Sequence, residues 1–288
     1  MNVRRLLRQS RIRPDKALGQ NFLTDPTLLE RIAQAAGLTA DDIVLEIGAG
    51  TGALTQLLAR DAGYVVAVEL DQRLLPVLED VLSAFDNIAL IQGDILALNP
   101  AVLIDDASRK LAASDAHYKV AANLPYYITS AILRHLLEAE RTPEVMIITV
   151  QHEVAKRLVA KPGDMSILAV SVQFYADPQI LFRISPGSFY PAPDVESAVV
   201  RLDVHPRPPL PREEIDMFFQ VVRAGFSQRR KQLHNSLSAG LGQRISRHEA
   251  ADKLQEAGID PRRRAQALSV EEWITLTHTL RDLNPNPS

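Results

Sequence analysis

The sequence of 288 residues predicts a doubly wound α/β fold with a mostly parallel, seven-stranded sheet, followed by a small all-helical domain. Seven apolar runs rich in β-branched residues predict the strands, and most of these runs are separated by segments with helical periodicity. Strands covered by helices on both faces are continuous apolar runs, as these are. The runs are Ile43–Ile47, Tyr64–Leu70, Ile88–Gln92, Tyr118–Ala122, Val145–Val150, Val170–Tyr175 and Ala198–Val204.

The segments between the runs carry apolar residues three and four positions apart, which is the spacing of one helix face. They are Leu54, Leu57 and Leu58 after the first run, Leu74, Leu75, Leu78 and Leu82 after the second, and Ile128, Ile132, Leu133, Leu136 and Leu137 after the fourth. Strands that alternate with helices in this way are typical of a parallel sheet with helices on both faces.

A proline-rich segment, His205–Pro211, ends the α/β region, because proline cannot donate a hydrogen bond to a sheet. Four helices are predicted beyond it: Glu213–Phe226, Lys231–Leu241, His248–Ala257 and Val270–Leu280. Ser269 is expected to cap the last helix with its side-chain oxygen. We therefore predict two domains, residues 1–205 and 206–288.

The composition excludes several classes of protein. With no cysteine, the chain has no disulfides, no thiolate catalysis and no cysteine-ligated metal. No apolar run approaches the roughly 20 residues of a membrane span. The N-terminal segment also lacks the apolar core of a signal peptide. We expect a soluble, cytoplasmic protein that does not contact a membrane.

The net charge of −3 argues weakly against a nucleic-acid partner, but the charges are unevenly distributed. The first 20 residues carry six basic side chains and one acid, whereas residues 21–150 carry 8 basic and 18 acidic ones. Residues 223–247 contain no acid and six basic residues: Arg223, Arg229, Arg230, Lys231, Arg244 and Arg247. Two basic patches are compatible with phosphate binding, although either one alone is equally well explained as a solvated helix face.

A glycine-rich turn follows the first predicted strand, in the sequence Val44–Ala53 with glycines at 48, 50 and 52. Glycine lets the backbone turn sharply and lets a ligand approach without meeting a Cβ atom, and the next helix presents free N–H groups. The spacing also fits a dinucleotide fingerprint. The motif therefore predicts a nucleotide-like cofactor without saying which one, and a turn without a ligand remains the alternative.

Two acidic residues follow the next strands. Glu69 ends the second predicted strand, about 20 residues after the glycines, where a carboxylate can accept both hydroxyls of a ribose. Asp94 follows the third strand and is suited to accept a hydrogen bond from an adenine amine, with Ile95 covering the ring. Taken alone, Glu69 is as easily a solvated residue, and Gly93–Asp94 is an ordinary turn signal.

The tetrapeptide Asn123–Tyr126 at the end of the fourth strand predicts the chemistry. Pro125 holds Leu124 extended and so fixes its carbonyl. With the amide oxygen of Asn123, this makes two acceptors for the N–H bonds of an amine conjugated to a ring. Holding both bonds favours a pyramidal, more nucleophilic nitrogen, and Tyr126 offers a ring on which the base can stack. A turn followed by a packed tyrosine is the alternative.

Seven motifs occur in order between about residues 10 and 275. Together they closely resemble the KsgA/RsmA family of bacterial small-subunit ribosomal RNA dimethyladenosine transferases. The motifs are Gly19–Leu23, Glu46–Gly52, Glu69, Gly93–Asp94, Asn123–Tyr127, Ser188–Ser197 and Phe226–Lys231. The resemblance implies a Rossmann-like methyltransferase domain, S-adenosyl-L-methionine as methyl donor, and dimethylation of the N6 amines of two adjacent adenosines. It places those adenosines in the 3′-terminal hairpin loop of 16S rRNA, within the precursor of the small subunit.

The resemblance also implies roles for individual residues. Contacts to the cofactor are expected from Asn21, Leu23, Gly48, Glu69, Asp94 and Asn123. The catalytic set is Asn123, Leu124, Pro125, Tyr126 and Phe189, with Asn123 and the Leu124–Pro125 backbone holding the amine of a flipped-out base. Phe189 would be a second stacking surface, and a core aromatic is its alternative. No metal is expected.

RNA phosphates are expected to contact the basic N-terminal arm and the segment 223–247, and we expect a monomer. The predicted RNA-binding residues are Arg223, Arg229, Arg230 and Lys231. Three other functions remain open at this point. They are an NAD-dependent oxidoreductase, an erythromycin-resistance methylase acting on large-subunit rRNA, and a non-catalytic RNA-binding factor that retains the fold.

Overall fold

The computed structural model describes residues 3–112 and 117–281, and the chain divides into two compact units. The first unit comprises the chain up to Ala155 together with Asp177–Val204. The second comprises Lys156–Ala176 and the chain from His205 onward. The chain passes from the first unit to the second between Val204 and His205, close to the predicted boundary. The two units differ from the predicted division in one segment: residues 156–176, which we expected in the first domain, belong to the second unit.

The large sheet has seven strands in the order β4-β3-β2-β5-β6-β9-β7. They are β2 (Ile43–Ile47), β3 (Tyr64–Glu69), β4 (Ile88–Gln92), β5 (Tyr118–Asn123), β6 (Val145–Gln151), β7 (Ala176–Ile184) and β9 (Ser197–Val204). Strands β2 to β6 pair in parallel, and β9 pairs antiparallel with β6. The predicted mostly parallel sheet is confirmed. Two short strands, β1 (Phe22–Leu23) and β8 (Phe189–Tyr190), form a separate antiparallel pair.

Helices alternate with the strands, as predicted. They are α1 (Val3–Gln9), α2 (Pro26–Ala35), α3 (Ala53–Asp61), α4 (Leu75–Leu82), α5 (Pro100–Leu111), α6 (Thr129–Leu137) and α7 (His152–Leu158). Asp25 and Asn99 cap α2 and α5 by accepting backbone N–H groups, and each is followed by a proline, which needs no hydrogen bond there. All five residues of β2 are buried, as required of a strand that is covered on both faces.

The sixth predicted strand, Val170–Tyr175, is wrong. Residues Ile167–Gln173 form a helix, α8, which Ser166 caps. A short apolar run has the same pattern in a buried helix as in a buried strand, and here packing in the second unit decides. The ring of Phe174 stacks on Phe218, with centroids 4.4 Å apart. The seventh strand of the sheet is instead β7, which the sequence analysis did not predict. Its polar residues and Pro178 suit its position at the edge of the sheet.

The second unit is helical, and its four predicted C-terminal helices are confirmed within two residues at each end. They are α9 (Arg212–Phe226), α10 (Leu233–Leu241), α11 (Arg247–Glu256) and α12 (Val270–Thr279). Ser269 caps α12 as predicted, within a reciprocal capping box with Glu272. In the part of the chain that the structure describes, no helix is both long and apolar enough to cross a membrane.

Candidate functional site

A cavity lies at the carboxyl ends of β2, β3, β4 and β5, where open α/β sheets bind their ligands. The strand order reverses here, because β3 and β4 lie on one side of β2 and β5 lies on the other. The loop before β1 completes the wall with Leu18–Phe22. Seven predicted site residues besides Asn21 line this cavity: Gly48, Glu69, Asp94, Asn123, Leu124, Pro125 and Tyr126.

The glycine turn after β2 has the conformation that only glycine adopts without strain. Gly48 and Gly50 have φ values of 76° and 61°. A Cβ atom on Gly50 would lie 3.2 Å from the ring of Phe22, so a side chain there would also displace the loop before β1. A Cβ atom on Gly48 would meet only the Asn123 carbonyl, at 3.9 Å. The space beside Gly48 is therefore open to a ligand.

Glu69 ties the glycine turn to the end of β3. One carboxylate oxygen accepts the N–H of Gly50 at 2.7 Å, and the other accepts the N–H of Asp71 at 2.8 Å. Burial raises the pKa of Glu69, while these two N–H groups lower it in part. Each oxygen keeps a second lone pair, so the carboxylate is held in place and can still accept hydrogen bonds from a ligand.

The cavity end at β4 has an acidic group beside apolar walls. Asp94 accepts the N–H of Leu96 at 2.9 Å, which fixes the carboxylate in a tight turn. Ile95 is buried, and Leu70, which directly follows β3, is 40% exposed; both line the cavity. A flat heteroaromatic ring fits such a place, because apolar side chains cover its faces and a carboxylate accepts from its edge.

The loop before β1 is held at the cavity by polar contacts to the segment just after β3 and to the end of β5. The side chain of Gln20 donates to Asp71 at 2.7 Å, and Asp71 also pairs with Arg73. From β5, the Asn123 side-chain nitrogen donates to the backbone carbonyl of Asn21 at 2.9 Å. The loop is thus linked to the two strand ends that carry Glu69 and Asn123.

The hydrogen bond to Asn21 also orients the amide of Asn123. Because its nitrogen faces a carbonyl, its oxygen is left as an acceptor. Leu124 donates its N–H to Thr149 of β6 at 3.2 Å. No donor among residues 3–112 and 117–281 occupies the Leu124 carbonyl. Two consecutive residues therefore contribute acceptors at the cavity wall, in a backbone that Pro125 stiffens.

The ring of Tyr126 is anchored through its hydroxyl. Tyr126 Oη lies 2.6 Å from Ser197 Oγ, and Ser197 is fully buried at the start of β9. Burial raises the pKa of Tyr126, so the phenol stays protonated at neutral pH. The side chain is therefore suited to present a flat ring and unsuited to act as a base.

Two of the predicted cofactor-binding and catalytic residues are not among the described residues that line the cavity. Phe189 and Leu23 face each other in the β1–β8 pair and are 1% and 4% exposed. The structure therefore supports the alternative interpretation of Phe189, a core aromatic, since its ring has no free face for a base. Leu23 lies two residues from Asn21 and supports the loop by packing beneath it in the core.

Sequence reasoning assigned no role to several residues that line the cavity. They are Leu18, Gly19, Gln20, Phe22, Leu70, Tyr127, Ile128 and Ile132. Their proximity to predicted site residues along the chain was the available signal: Gly19 and Gln20 precede Asn21, Leu70 follows Glu69, and Tyr127 follows Tyr126.

The predicted RNA-binding residues all belong to the second unit. Arg223, Arg229, Arg230 and Lys231 are exposed. In the described chain none of them forms an ion pair, whereas the nearby Arg262 and Arg263 pair with Asp260 and Glu272. The four side chains thus keep their full charge available to an anionic partner.

Comparison with known proteins assigns the chain to a family. A family model described as ribosomal RNA adenine dimethylase matches residues 12–282. The chain belongs to this family and is an S-adenosylmethionine-dependent rRNA adenine dimethyltransferase. The resemblance found in the sequence motifs is confirmed, and an NAD-dependent oxidoreductase is excluded.

Individual relatives agree with this assignment. The chain is similar to the ribosomal RNA small subunit methyltransferase A of Dehalococcoides mccartyi strain CBDB1, at 46% identity over 260 residues, which is 90% of this chain and 85% of the relative. It is 44% identical over 284 residues to the protein of the same name from Pelotomaculum thermopropionicum strain SI, covering 97% of this chain and 96% of the relative.

Two solved structures share the fold. The 23S rRNA methyltransferase ErmE superposes with a TM-score of 0.70 at 29% identity, covering 90% of this chain and 99% of that one. A dimethyladenosine transferase from Plasmodium falciparum superposes with a TM-score of 0.77 at 24% identity, covering 91% and 98%.

Proposed function

We propose that this enzyme dimethylates the N6 amines of two adjacent adenosines in the 3′-terminal hairpin loop of 16S rRNA, within the precursor of the small subunit. The pair of acceptors at Asn123 and Leu124 carries the proposal, because it suits an exocyclic amine. The small-subunit substrate is supported by the relatives with 44–46% identity, all named as small-subunit enzymes. The large-subunit enzyme ErmE is less similar, at 29%.

The cavity fits S-adenosylmethionine. The open space beside Gly48 admits the methionine portion close to the backbone, near Asn21 and Asn123. Glu69 would accept the ribose hydroxyls, and Asp94 would accept the adenine amine while Ile95 and Leu70 cover the ring. When bound, the cofactor supplies an electrophilic methyl group. We propose an indirect role for Leu23, which packs beneath the loop that carries Asn21.

Asn123 and Leu124 would activate the nucleophile by position. An aromatic amine is a poor nucleophile, because its lone pair is delocalised into the ring. Hydrogen bonds from its two N–H groups to the Asn123 oxygen and the Leu124 carbonyl favour a pyramidal nitrogen and stabilise the positive charge that develops there. Pro125 limits the backbone motion that would loosen this geometry.

No general base is needed before the attack. The methylated nitrogen is cationic and acidic enough to lose its proton to water afterwards. The titratable side chains among the described cavity-lining residues are Glu69, Asp94, Tyr126 and Tyr127. Tyr126 stays protonated and bonded to Ser197, and both Glu69 oxygens already accept backbone N–H groups. These residues therefore bind and orient the reactants.

The RNA must deliver its target base out of the stack, which costs a few kcal/mol and least in a loop. Stacking on the anchored ring of Tyr126 would offset part of that cost. Phosphates would be held by the exposed side chains of Arg223, Arg229, Arg230 and Lys231, which makes affinity dependent on salt. We propose that the enzyme acts in the cytoplasm as a soluble monomer.

Labelled S-adenosylmethionine tests the proposal directly. Small-subunit particles that lack the modification are incubated with the enzyme, and the RNA is digested to nucleosides and mapped. We expect dimethyladenosine at two adjacent positions near the 3′ end. Label confined to large-subunit RNA, offered in a parallel reaction, would favour the erythromycin-resistance type of activity. Binding to the particles without any label in either RNA would indicate a non-catalytic factor.

A further inference from the structure

Tyr127 is a large aromatic residue that the proposed reaction does not use and that the fold does not bury. It is 60% exposed, although it lines the same cavity as Tyr126. Single exposed apolar side chains are common, so exposure alone carries no function. This ring, however, lies beside a cavity that is proposed to hold one nucleobase, so its position suggests contact with a neighbouring nucleotide.

The Tyr127 ring packs close to Gly19 in the loop before β1. A Cβ atom on Gly19 would lie 3.2 Å from Cδ1 and 3.3 Å from Cε1 of Tyr127, so a side chain there would push the ring or the loop aside. Gly19 also has a φ of 63°, which other residues rarely adopt. The ring of Tyr127 therefore packs beside the loop at Gly19, while 60% of the residue remains exposed to solvent.

The loop that carries Gly19 is held by its own hydrogen bonds. The N–H of Asp15 donates to the side chain of Gln20 at 2.8 Å, and the N–H of Gln20 donates to the carbonyl of Asp15 at 3.2 Å. The Gln20 side chain also donates to Asp71 beyond β3. A ring supported by a fixed loop loses little freedom when a base stacks on it.

Two cations lie on the same loop. Arg13 and Lys16 are exposed, and neither forms an ion pair with any residue in the described parts of the chain. The N–H of Gly19 donates to the carbonyl of Lys16 at 3.1 Å, which closes the loop between the cation and the glycine beside the ring. Exposed aromatic rings next to basic side chains are the combination that binds single-stranded nucleic acid.

We propose that Tyr127, together with Arg13 and Lys16, forms a second nucleotide site, which binds the unpaired nucleotide next to the target base. The flanking base stacks on Tyr127, and its phosphate contacts the two cations. This inference rests on the proposed RNA substrate and extends it. While one of two adjacent adenosines occupies the cavity, the other is held on Tyr127.

Equilibrium binding of a short, fluorescently labelled oligoadenylate tests the site without requiring methyl transfer. Loss of one stacked base predicts a Kd roughly 5- to 150-fold higher for Tyr127→Ala. Tyr127→Leu, which keeps apolar bulk but has no π face, is expected to resemble Tyr127→Ala. Tyr127→Phe is expected to bind within about twofold of wild type, because the ring remains.

Salt dependence separates the two parts of the site. Tyr127→Ala should leave the slope of log Kd against log salt unchanged, whereas Lys16→Gln should reduce it by about 0.7, the value for one phosphate contact on a single strand. The affinity for S-adenosylmethionine should be unaltered in every variant. Wild-type binding by Tyr127→Ala and Tyr127→Leu, or a parallel loss of cofactor affinity, overturns the inference.

The same variants distinguish failure of this inference from failure of the proposed function. Unmethylated small-subunit particles that gain no dimethyladenosine from the wild-type enzyme would refute the proposed substrate. The oligoadenylate result would still decide on Tyr127. If the particles are methylated, a KM for them that is unchanged by Tyr127→Ala would refute the second site alone.

Discussion

Replacing Glu46 by glutamine should make the stability of this protein less dependent on pH. Glu46 lies on β2 just before the glycine turn and is 2% exposed. Among the described residues, no hydrogen-bond partner reaches its Oε2 atom. Burial, with a smaller contribution from the nearby charge of Glu69, raises the pKa of Glu46 from an ordinary 4.5 to about 8. The folded protein therefore favours the protonated carboxyl, which glutamine imitates in shape and charge.

The size of the effect follows from that pKa. An acid whose pKa is raised by folding binds more protons in the folded state, so stability falls as the pH rises from the unfolded pKa to the folded one. Each pKa unit corresponds to about 1.4 kcal/mol, which gives a cost of up to about 5 kcal/mol above pH 8. Relative to wild type, Glu46→Gln should gain about 3.5 kcal/mol between pH 5 and pH 8.

Urea-induced unfolding followed by far-ultraviolet circular dichroism at pH 5 and pH 8 measures this difference. Any cost of the extra amide hydrogens is common to both pH values and cancels in the comparison. Glu79→Gln is the matched control, because Glu79 is exposed on α4 and should change stability by less than about 0.5 kcal/mol at either pH. A stability difference between Glu46→Gln and wild type that is the same at both pH values would refute the reasoning.

Three further substitutions test the proposed roles. Asn123→Ala should reduce the single-turnover rate of methyl transfer at least about 100-fold, since it removes one of two acceptors, and near-normal turnover would contradict the role assigned to its oxygen. Ser197→Ala removes the hydrogen bond that anchors the ring of Tyr126 and should slow methyl transfer about fivefold. In a Tyr126→Phe background the same substitution should have little further effect on the rate, whereas additive effects would show that the two hydroxyls act independently. Arg230→Gln should lower the slope of log Kd against log salt for particle binding by about 0.7 to 0.9. Arg262→Gln, which replaces an ion-paired arginine, should change that slope less. Equal slopes for Arg230→Gln and wild type would exclude Arg230 from the phosphate contacts.

The parts of the site that follow strand ends could be predicted from the sequence. A buried parallel strand has a recognisable apolar run, and the carboxyl ends of such strands share one edge of the sheet. Gly48, Glu69, Asp94 and Asn123 could therefore be expected to meet, and all four line one cavity. These residues are far apart along the chain, but they lie close together in the structure because the strands that carry them are neighbours in the sheet.

Residues outside that pattern were harder to predict. The family resemblance implied a stacking role for Phe189 at the site, but pairing of β8 with β1 buries its ring. Tyr127 follows Tyr126 directly, yet one tyrosine is anchored to Ser197 and the other is exposed. Which of several aromatic rings faces a cavity depends on strands far away in the sequence, so local pattern does not decide it.

The sequence by itself determined the α/β class, most of the strands, the four C-terminal helices, the family and the strand-end positions that meet at the candidate site. Each of these depends on local periodicity, on turn chemistry or on motifs read along the chain. Only the tertiary structure decided that Val170–Tyr175 contributes to a helix in the second unit, that the Asn123 amide presents its oxygen, and that Tyr127 remains exposed. These outcomes depend on partners distant in sequence. Phe218 stacks on Phe174, the carbonyl of Asn21 accepts a hydrogen bond from the Asn123 side-chain nitrogen, and Gly19 packs beside the ring of Tyr127.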